Sequence, residues 1–432
     1  MFKKILCLAV SIAAVFTVCS GIFCACSVID NDNPIRNDST GDFTVSEQLT
    51  MTSPGEDVSV GDPDAEPGWQ YSFGSEFIDE NGIRYVWDNI DEDTRVNLGE
   101  VMNAIRNVQI YCPLTVGFPK DEAKSFLELV SNCSTFYTYA SGTFKLHSDD
   151  NGIVKGLTIR YSVDYEEEAE QRSKTLNAAL EKIVSDMPAD GTEFEKVKYL
   201  HDYLVLSCRY GEDATSPFTA YGALVEHMAA CQGYADSLHL LLSRAGFETV
   251  FATGEGKESS TKHKWCYVKL SDGHWYAIDP TWDDMEGESD QPDYIGYSYF
   301  LISDEMILRD HSAKYTSRYY ELPVADSMDM NFHKVMGYIA VDSGSAYNVL
   351  KAQAIEAAKD GRRYLYLRMD DGEKLRQIYD ELAAGPSGDN RIQDIIAAAN
   401  AAAGTDISTV SWVESLDPVS GTLAITLKYN EN

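Results

Sequence analysis

Basic residues are scarce: 35 lysines and arginines stand against 69 aspartates and glutamates in 432 residues, a formal net charge of −34. Such a surface repels phosphate backbones and does not adhere unaided to anionic lipid, so nucleic acid is excluded as a partner. No internal repeat is visible, and no repeat architecture is expected. Of nine cysteines, four fall within the first 26 residues. The other five are Cys112, Cys133, Cys208, Cys231 and Cys266, an odd set in which four allow three full pairings that sequence cannot rank. His263 and Cys266 have no second Cys/His pair at ligand spacing, so the sequence offers no metal site, and no pattern calls for a cofactor.

The length exceeds one average domain, and 44% apolar content is enough for two or three cores. Lys3 and Lys4 precede an uncharged, mostly apolar stretch, Ile5 to Ala25, which reads as a signal peptide or an uncleaved anchor helix. Phe23-Cys24-Ala25-Cys26 resembles a bacterial lipobox with an unusual Cys24 at −2, which makes Cys26 the expected lipidated N-terminus. Either reading puts the protein outside the cytoplasm on a membrane. Residues 26–69 are rich in acids, Ser, Gly and Pro, with Arg36 as the one basic residue, and are expected to be a disordered tether.

Residues 70–190 read as a separate α/β unit. Amphipathic helices are expected around Leu98 to Val108 and Pro119 to Leu129. Two alternating runs about Asp149-Asp150-Asn151-Gly152 signal a hairpin. A catalytic domain is expected over 191–320, entered through helices at about Glu166 to Met187 and Thr192 to Cys208, the second with a capping box of Thr192 and Glu195. Residues 321–432 alternate helices and strands and end in a hairpin, a further small α/β domain.

The chemistry concentrates between Tyr221 and Asp284. In CQGYADSLHLLLSRAG, Leu238, Leu241, Leu242 and Ala245 recur at helical spacing and Gly246 supplies the stop. Cys231 therefore opens a helix, where exposed N–H groups and the helix dipole favour the thiolate. The β-like runs KHKWCYVKL and HWYAID follow, with Asp272-Gly273 as the turn between them. A cysteine nucleophile needs a base, a group that orients the base, and oxyanion donors. His263 can take and return the proton, and Asp279 can fix its tautomer. The Cys231 N–H is the natural first oxyanion donor. The Gln232 side chain is a candidate second donor, and Trp282 a candidate wall of the acyl site.

The segments AACQGYADSLHLLLSRAGFET and TKHKWCYVKLSDGHWYAIDPTWDD resemble the transglutaminase-like superfamily, papain-related thiol hydrolases and acyl transferases. The shared pattern is a cysteine opening a helix, a histidine two residues before tryptophan (His263-x-Trp265), and Asp279 ahead of Thr281-Trp282. The resemblance extends over about residues 190 to 312. It implies an α+β fold with a nucleophile helix packed on an antiparallel sheet, here flanked by small α/β domains, and a triad of Cys231, His263 and Asp279. Cys266 stands where asparagine is frequent. The implied activity is cleavage or exchange of amide bonds in protein or peptide substrates, cell-wall peptides among them, through a Cys thioester. The alternative is a catalytically idle module for surface binding. His227, His239, His274 and His311 read as surface or satisfied polar residues. Lys257, Lys262, Lys264 and Lys269 read either as solvated lysines or as a basic rim for acidic peptides.

Overall fold

The computed structural model describes residues 27–28, 75–164, 166–257, 262–284, 294–313, 318–383, 391–412 and 419–430. The expected signal peptide, Cys26 and, but for residues 27–28, the tether lie outside the described residues. Among the described residues, no helix is long and apolar enough to cross a membrane. The chain divides into two compact units. The first runs to Gly273 and includes His311–Pro323; the second comprises His274–Asp310 and Val324–Asn432.

In the first unit, helix α1 (Glu92–Arg106) is capped by Asp91, whose carboxylate accepts from the Thr94 N–H. Its Leu98, Val101, Met102 and Ile105 face inward at helical spacing. Strand β1 (Tyr111–Pro119) and helix α2 (Ala123–Cys133) lead into the hairpin of β2 (Ala140–Ser148) and β3 (Ile153–Tyr161). β3 pairs antiparallel with both β1 and β2. The turn is held by Asp149 Oδ1, which accepts from Asn151 N at 2.9 Å and Ile153 N at 3.0 Å. The anticipated alternation and Asp-Asn-Gly turn are thus present.

Helix α3 (Glu166–Ser185) precedes α4 (Glu193–Ser207), which starts in the expected reciprocal box: Thr192 accepts from Glu195 N, and Glu195 accepts from Thr192 N. Helix α5 (Cys231–Arg244) follows and is ended by Gly246 at φ +89°. Strands β4 (Glu248–Gly256) and β5 (Lys262–Lys269) pair antiparallel, with Gly254 opposite His263. The two-residue strand His311–Ser312 pairs antiparallel with Glu255 and Gly256 on the other edge of β4. α5 packs across β4 and β5, the arrangement of nucleophile helix and antiparallel sheet inferred from sequence.

The division into units falls at 273/274, 310/311 and 323/324, whereas boundaries at 190 and 320 were expected. The physical reason lies in close contacts between the early elements and the α5 layer. A Cβ on Gly82 would lie 2.1 Å from His239 Nε2. Arg244 Nε donates to Glu80 O at 3.0 Å, and Thr253 Oγ1 donates to Glu128 Oε1 at 3.2 Å. Composition along the chain carries no trace of such contacts.

The second unit begins with strand β6 (Trp275–Ile278), bridged antiparallel by Ala277 to Ile302. Its core lies between helices and a sheet. Helix α6 (Ser343–Asp360) ends at Gly361 with φ +69°, and strand β7 (Tyr364–Arg368), helix α7 (Gly372–Ala383) and helix α8 (Arg391–Ala403) follow. Strands β8 (Ile407–Trp412) and β9 (Thr422–Tyr429) are antiparallel, as expected of a terminal hairpin, but β7 pairs on the other edge of β9. β9 is therefore central and buried on both faces over Thr422 to Leu427, which accounts for the successive apolar residues Leu423, Ala424 and Ile425. Ala354, Ala357 and Ala399 let α6 and α8 approach closely over Leu365, Leu367, Leu423 and Ile425.

Candidate active site

Cys231 is the first residue of α5, and the preceding Ala230 is extended (φ −86°, ψ 178°) with no side chain capping the helix. The first-turn N–H groups thus have no competing capping side chain. The backbone before the helix is drawn in tightly: Ala230 N donates to Pro217 O at 2.9 Å. Gly233 makes this possible, since a Cβ there would lie 2.8 Å from Pro217 O and 2.9 Å from Thr219 O. A one-turn π-helix, Gly222–Glu226, ends at exposed His227 in the left-handed region (φ +58°). Such turns are inserted kinks in helices; here one re-aims the chain four residues before the thiol.

None of the five described cysteines is in a disulfide, and Cys231 alone among them is half-buried rather than buried. Burial pushes the Cys133 thiol up to about 12, against a smaller opposing effect of Lys264. Burial likewise holds the Cys112 thiol far above the ordinary range. These thiols are poorly suited to ionise.

His263 is the second residue of β5 and is 5% exposed. Side chains two apart share a strand face, and Trp265 stacks beside it with ring centroids 6.0 Å apart and planes at 19°. The buried His311 ring is 5.3 Å from His263 and 5.0 Å from Trp265. Sequence reading did not bring His311 to this place. Its only signal was a position near the end of the stretch, about residues 190 to 312, over which the resemblance extends.

The alternate residues of β5 face α5. Cys266 Sγ donates to Ala235 O at 3.3 Å, and Lys264 Nζ donates to Asp236 Oδ1 at 2.6 Å. Lys264 is 1% exposed and its ammonium lies 3.6 Å from the Phe251 ring centroid. Lys264 is thus neither solvated nor part of a rim, which corrects both expectations for it. β5 is buried on both faces, so its even positions point into the helix layer. Lys269 does sit at the surface, paired with Glu248 at 3.1 Å.

Gln232 is buried, close enough to Asp236 for its side chain to lower that carboxyl's pKa. Its Oε1 has no hydrogen-bond partner. The amide considered as an oxyanion donor is therefore turned at least partly toward Asp236. Burial raises the Asp236 carboxyl, and Lys264 and then Gln232 draw it back.

Asp279 belongs to the second unit. It is fully buried, and its Oδ1 accepts from Thr281 N at 3.0 Å and Trp282 N at 3.4 Å, capping the short helix Pro280–Asp283. Trp282 stands edge-on to Tyr299 with centroids 5.3 Å apart. In the same unit His274 pairs with Asp326 at 2.7 Å.

Residues 181–280 match the family model described as the transglutaminase-like superfamily. The chain carries a transglutaminase-like domain. Cys231, His263 and Asp279 all fall inside the matched residues. No curated protein matches the chain in sequence. Among solved structures it is similar to a TGase at 14% identity, over 34% of this chain and 45% of that one, with a TM-score of 0.23. It is also similar to the periplasmic domain of TgpA from Pseudomonas aeruginosa bound to ethylmercury, at 16% identity, over 32% of this chain and 62% of that one, with a TM-score of 0.21. The chain thus spans less than two thirds of either neighbour.

Proposed function

We propose that the transglutaminase-like domain is a thiol enzyme acting on amide bonds, with Cys231 as nucleophile, His263 as base and Asp279 as the group that orients the base. The observation that carries this reading is the placement of the one half-buried cysteine among the described residues at the uncapped start of a 14-residue helix. The positive end of a helix stabilises negative charge on sulfur. His263 and Asp279 lie inside the residues that match the family model, which supports the reading.

In the proposed reaction the Cys231 sulfur adds to a substrate carbonyl and the backbone N–H of Cys231 donates to the oxyanion. The C–N bond breaks, the amine leaves with the proton held by His263, and a thioester remains. Water, giving its proton to His263, then releases the acid and returns the thiol. An amine in place of water gives transamidation. We favour hydrolysis because water requires no second binding site. The substrates proposed are proteins or peptides, including cell-wall peptides. The proposal includes a location outside the cytoplasm with a lipid on Cys26, supported by Lys3, Lys4 and the apolar stretch through Ala25.

Labelling with a thiol-directed acyl probe, followed by mass spectrometry, tests the reading. Cys231 is expected to react ahead of Cys112, Cys133, Cys208 and Cys266, and Cys231→Ala to abolish turnover. Equal labelling of all five would overturn it. A glutamine peptide with and without added amine then separates hydrolysis from exchange, and metabolic labelling with a fatty acid, lost in Cys26→Ala, tests the anchor.

A further inference from the structure

Lys264 and Asp236 form an ion pair in the interior, with side chains 2% and 5% exposed and a Nζ–Oδ1 distance of 2.6 Å. Burying two charges costs several kcal/mol each after relaxation, and well-packed apolar residues often stabilise a fold as well or better. Stability alone is therefore a weak account of this pair. Its position is more informative. Lys264 follows His263 directly on β5, and Asp236 lies one turn beyond Gln232, the residue that follows Cys231 on α5. The Gln232 side chain lies near enough to that carboxylate to lower its pKa. Polar groups thus lie in succession from the neighbour of the thiol, through Asp236, to the neighbour of the imidazole, with the Lys264–Asp236 pair as the direct contact.

The surroundings hold that succession in one arrangement. The Lys264 ammonium is seated on the Phe251 face at 3.6 Å, with Phe251 on β4. The titratable groups that face it are Glu128 from α2, Cys133 at the end of α2, and His239 from α5. Burial keeps His239 neutral, with its pKa lowered to about 3, and raises the Glu128 and Asp236 carboxyls against the opposing pull of Lys264, so these two are the carboxyl partners available to it. Glu128 is turned to Thr253, which donates to it at 3.2 Å. Asp236 is accordingly the direct ion-pair partner.

We infer that Gln232, Asp236 and Lys264 are positioning residues, which fix the start of α5 against β5 and so set the placement of Cys231 relative to His263. This rests on the proposed thiol function and deepens it. A hydrogen bond at 2.6 Å between rigid elements resists sliding of helix on strand in a way that apolar contact does not. Misplacement by about 1 Å at a reacting pair can cost ~10²-fold in rate.

The test is the rate of Cys231 alkylation by iodoacetamide against pH, in which sulfur displaces iodide and no oxyanion develops. Any oxyanion role of Gln232 is thereby kept out of the measurement. Lys264→Met/Asp236→Leu replaces the pair with apolar side chains, and thermal unfolding verifies that it folds. Gln232→Met removes the polar group at the thiol end while leaving the ion pair, and serves if the double variant does not fold. Positioning predicts that alkylation falls by about 10- to 100-fold and that its profile moves to higher pH, at a melting temperature near the parent's. Parent-like rates and profiles in folded variants would overturn the positioning role alone. A parent in which Cys231 reacts no faster than the buried cysteines would overturn the thiol-enzyme reading, and this inference with it.

Discussion

The His239 imidazole lies flat on the Phe251 ring, with centroids 4.0 Å apart and planes at 25°. Burial, reinforced by the nearby Lys264 charge, lowers its pKa to about 3, against 6.5 for an exposed histidine. The unfolded chain thus takes up a proton at a pH where the folded chain does not. The stability due to neutral His239 is fully present above about pH 6.5 and is lost as pH falls toward 3, at about 1.4 kcal/mol per pH unit. Urea unfolding at pH 7, 6 and 5 is expected to show this slope. His239→Gln, which cannot titrate, is expected to be less stable at pH 7 and to show a shallower decline. Equal slopes in parent and variant would contradict the assignment.

Gly82 is required by the same histidine. It has φ +71°, and a Cβ would lie 2.1 Å from His239 Nε2 and 2.5 Å from Ser243 Oγ. Gly82→Ala is expected to destabilise the first unit by roughly 1–3 kcal/mol, since both backbone and packing oppose it. Thermal unfolding measures the loss.

Gly233 tests whether the tight backbone before α5 matters for the thiol. Its missing Cβ would meet Ala229 Cβ at 2.7 Å and Pro217 O at 2.8 Å. Backbone carbonyls cannot swing aside as a side chain can. Gly233→Ala is expected to cost roughly 1–3 kcal/mol and to slow Cys231 alkylation in the fraction that remains folded. A parent-like rate would separate the loop from the reactivity of the thiol.

Asp279 combines a structural role with a proposed catalytic one, and a single substitution distinguishes them. Asp279→Asn keeps an oxygen that can accept from Thr281 N and Trp282 N but removes the charge. Loss of an N-cap costs about 0.5–2 kcal/mol, and that loss is expected to be largely avoided. Turnover is expected to drop by as much as ~10⁴-fold, the scale seen when a triad carboxylate becomes an amide. Kinetics on the first substrate found, beside thermal unfolding, provide the comparison.

Much of the local structure was legible because local rules governed it. The Thr192/Glu195 box, the Asp149 turn and the Gly246 stop depend on residues within a few positions of one another. The start of α5 at Cys231 was also correctly read, with CQGYADSLHLLLSRAG taken as one helix although its periodic residues begin only at Leu238. The buried interior of β5 was not legible. KHKWCYVK has three lysines in eight residues, and charge on a short strand ordinarily signals an edge facing water. Only burial on both faces shows that Lys264 points inward. Contacts between the early elements and the α5 layer were not legible for a related reason: Glu128 with Thr253 joins residues that no compositional change connects.

By itself, the sequence determined which residues could do chemistry and which segments would be helix or strand, because hydrophobic period, caps and turn residues act over a few positions. The tertiary structure alone decided which charged groups were withdrawn from water. It put Lys264 against Asp236, His239 against Phe251 and His311 beside His263. These pairings are set by how a helix lies across a sheet, and desolvation then fixes which of the buried groups can carry charge.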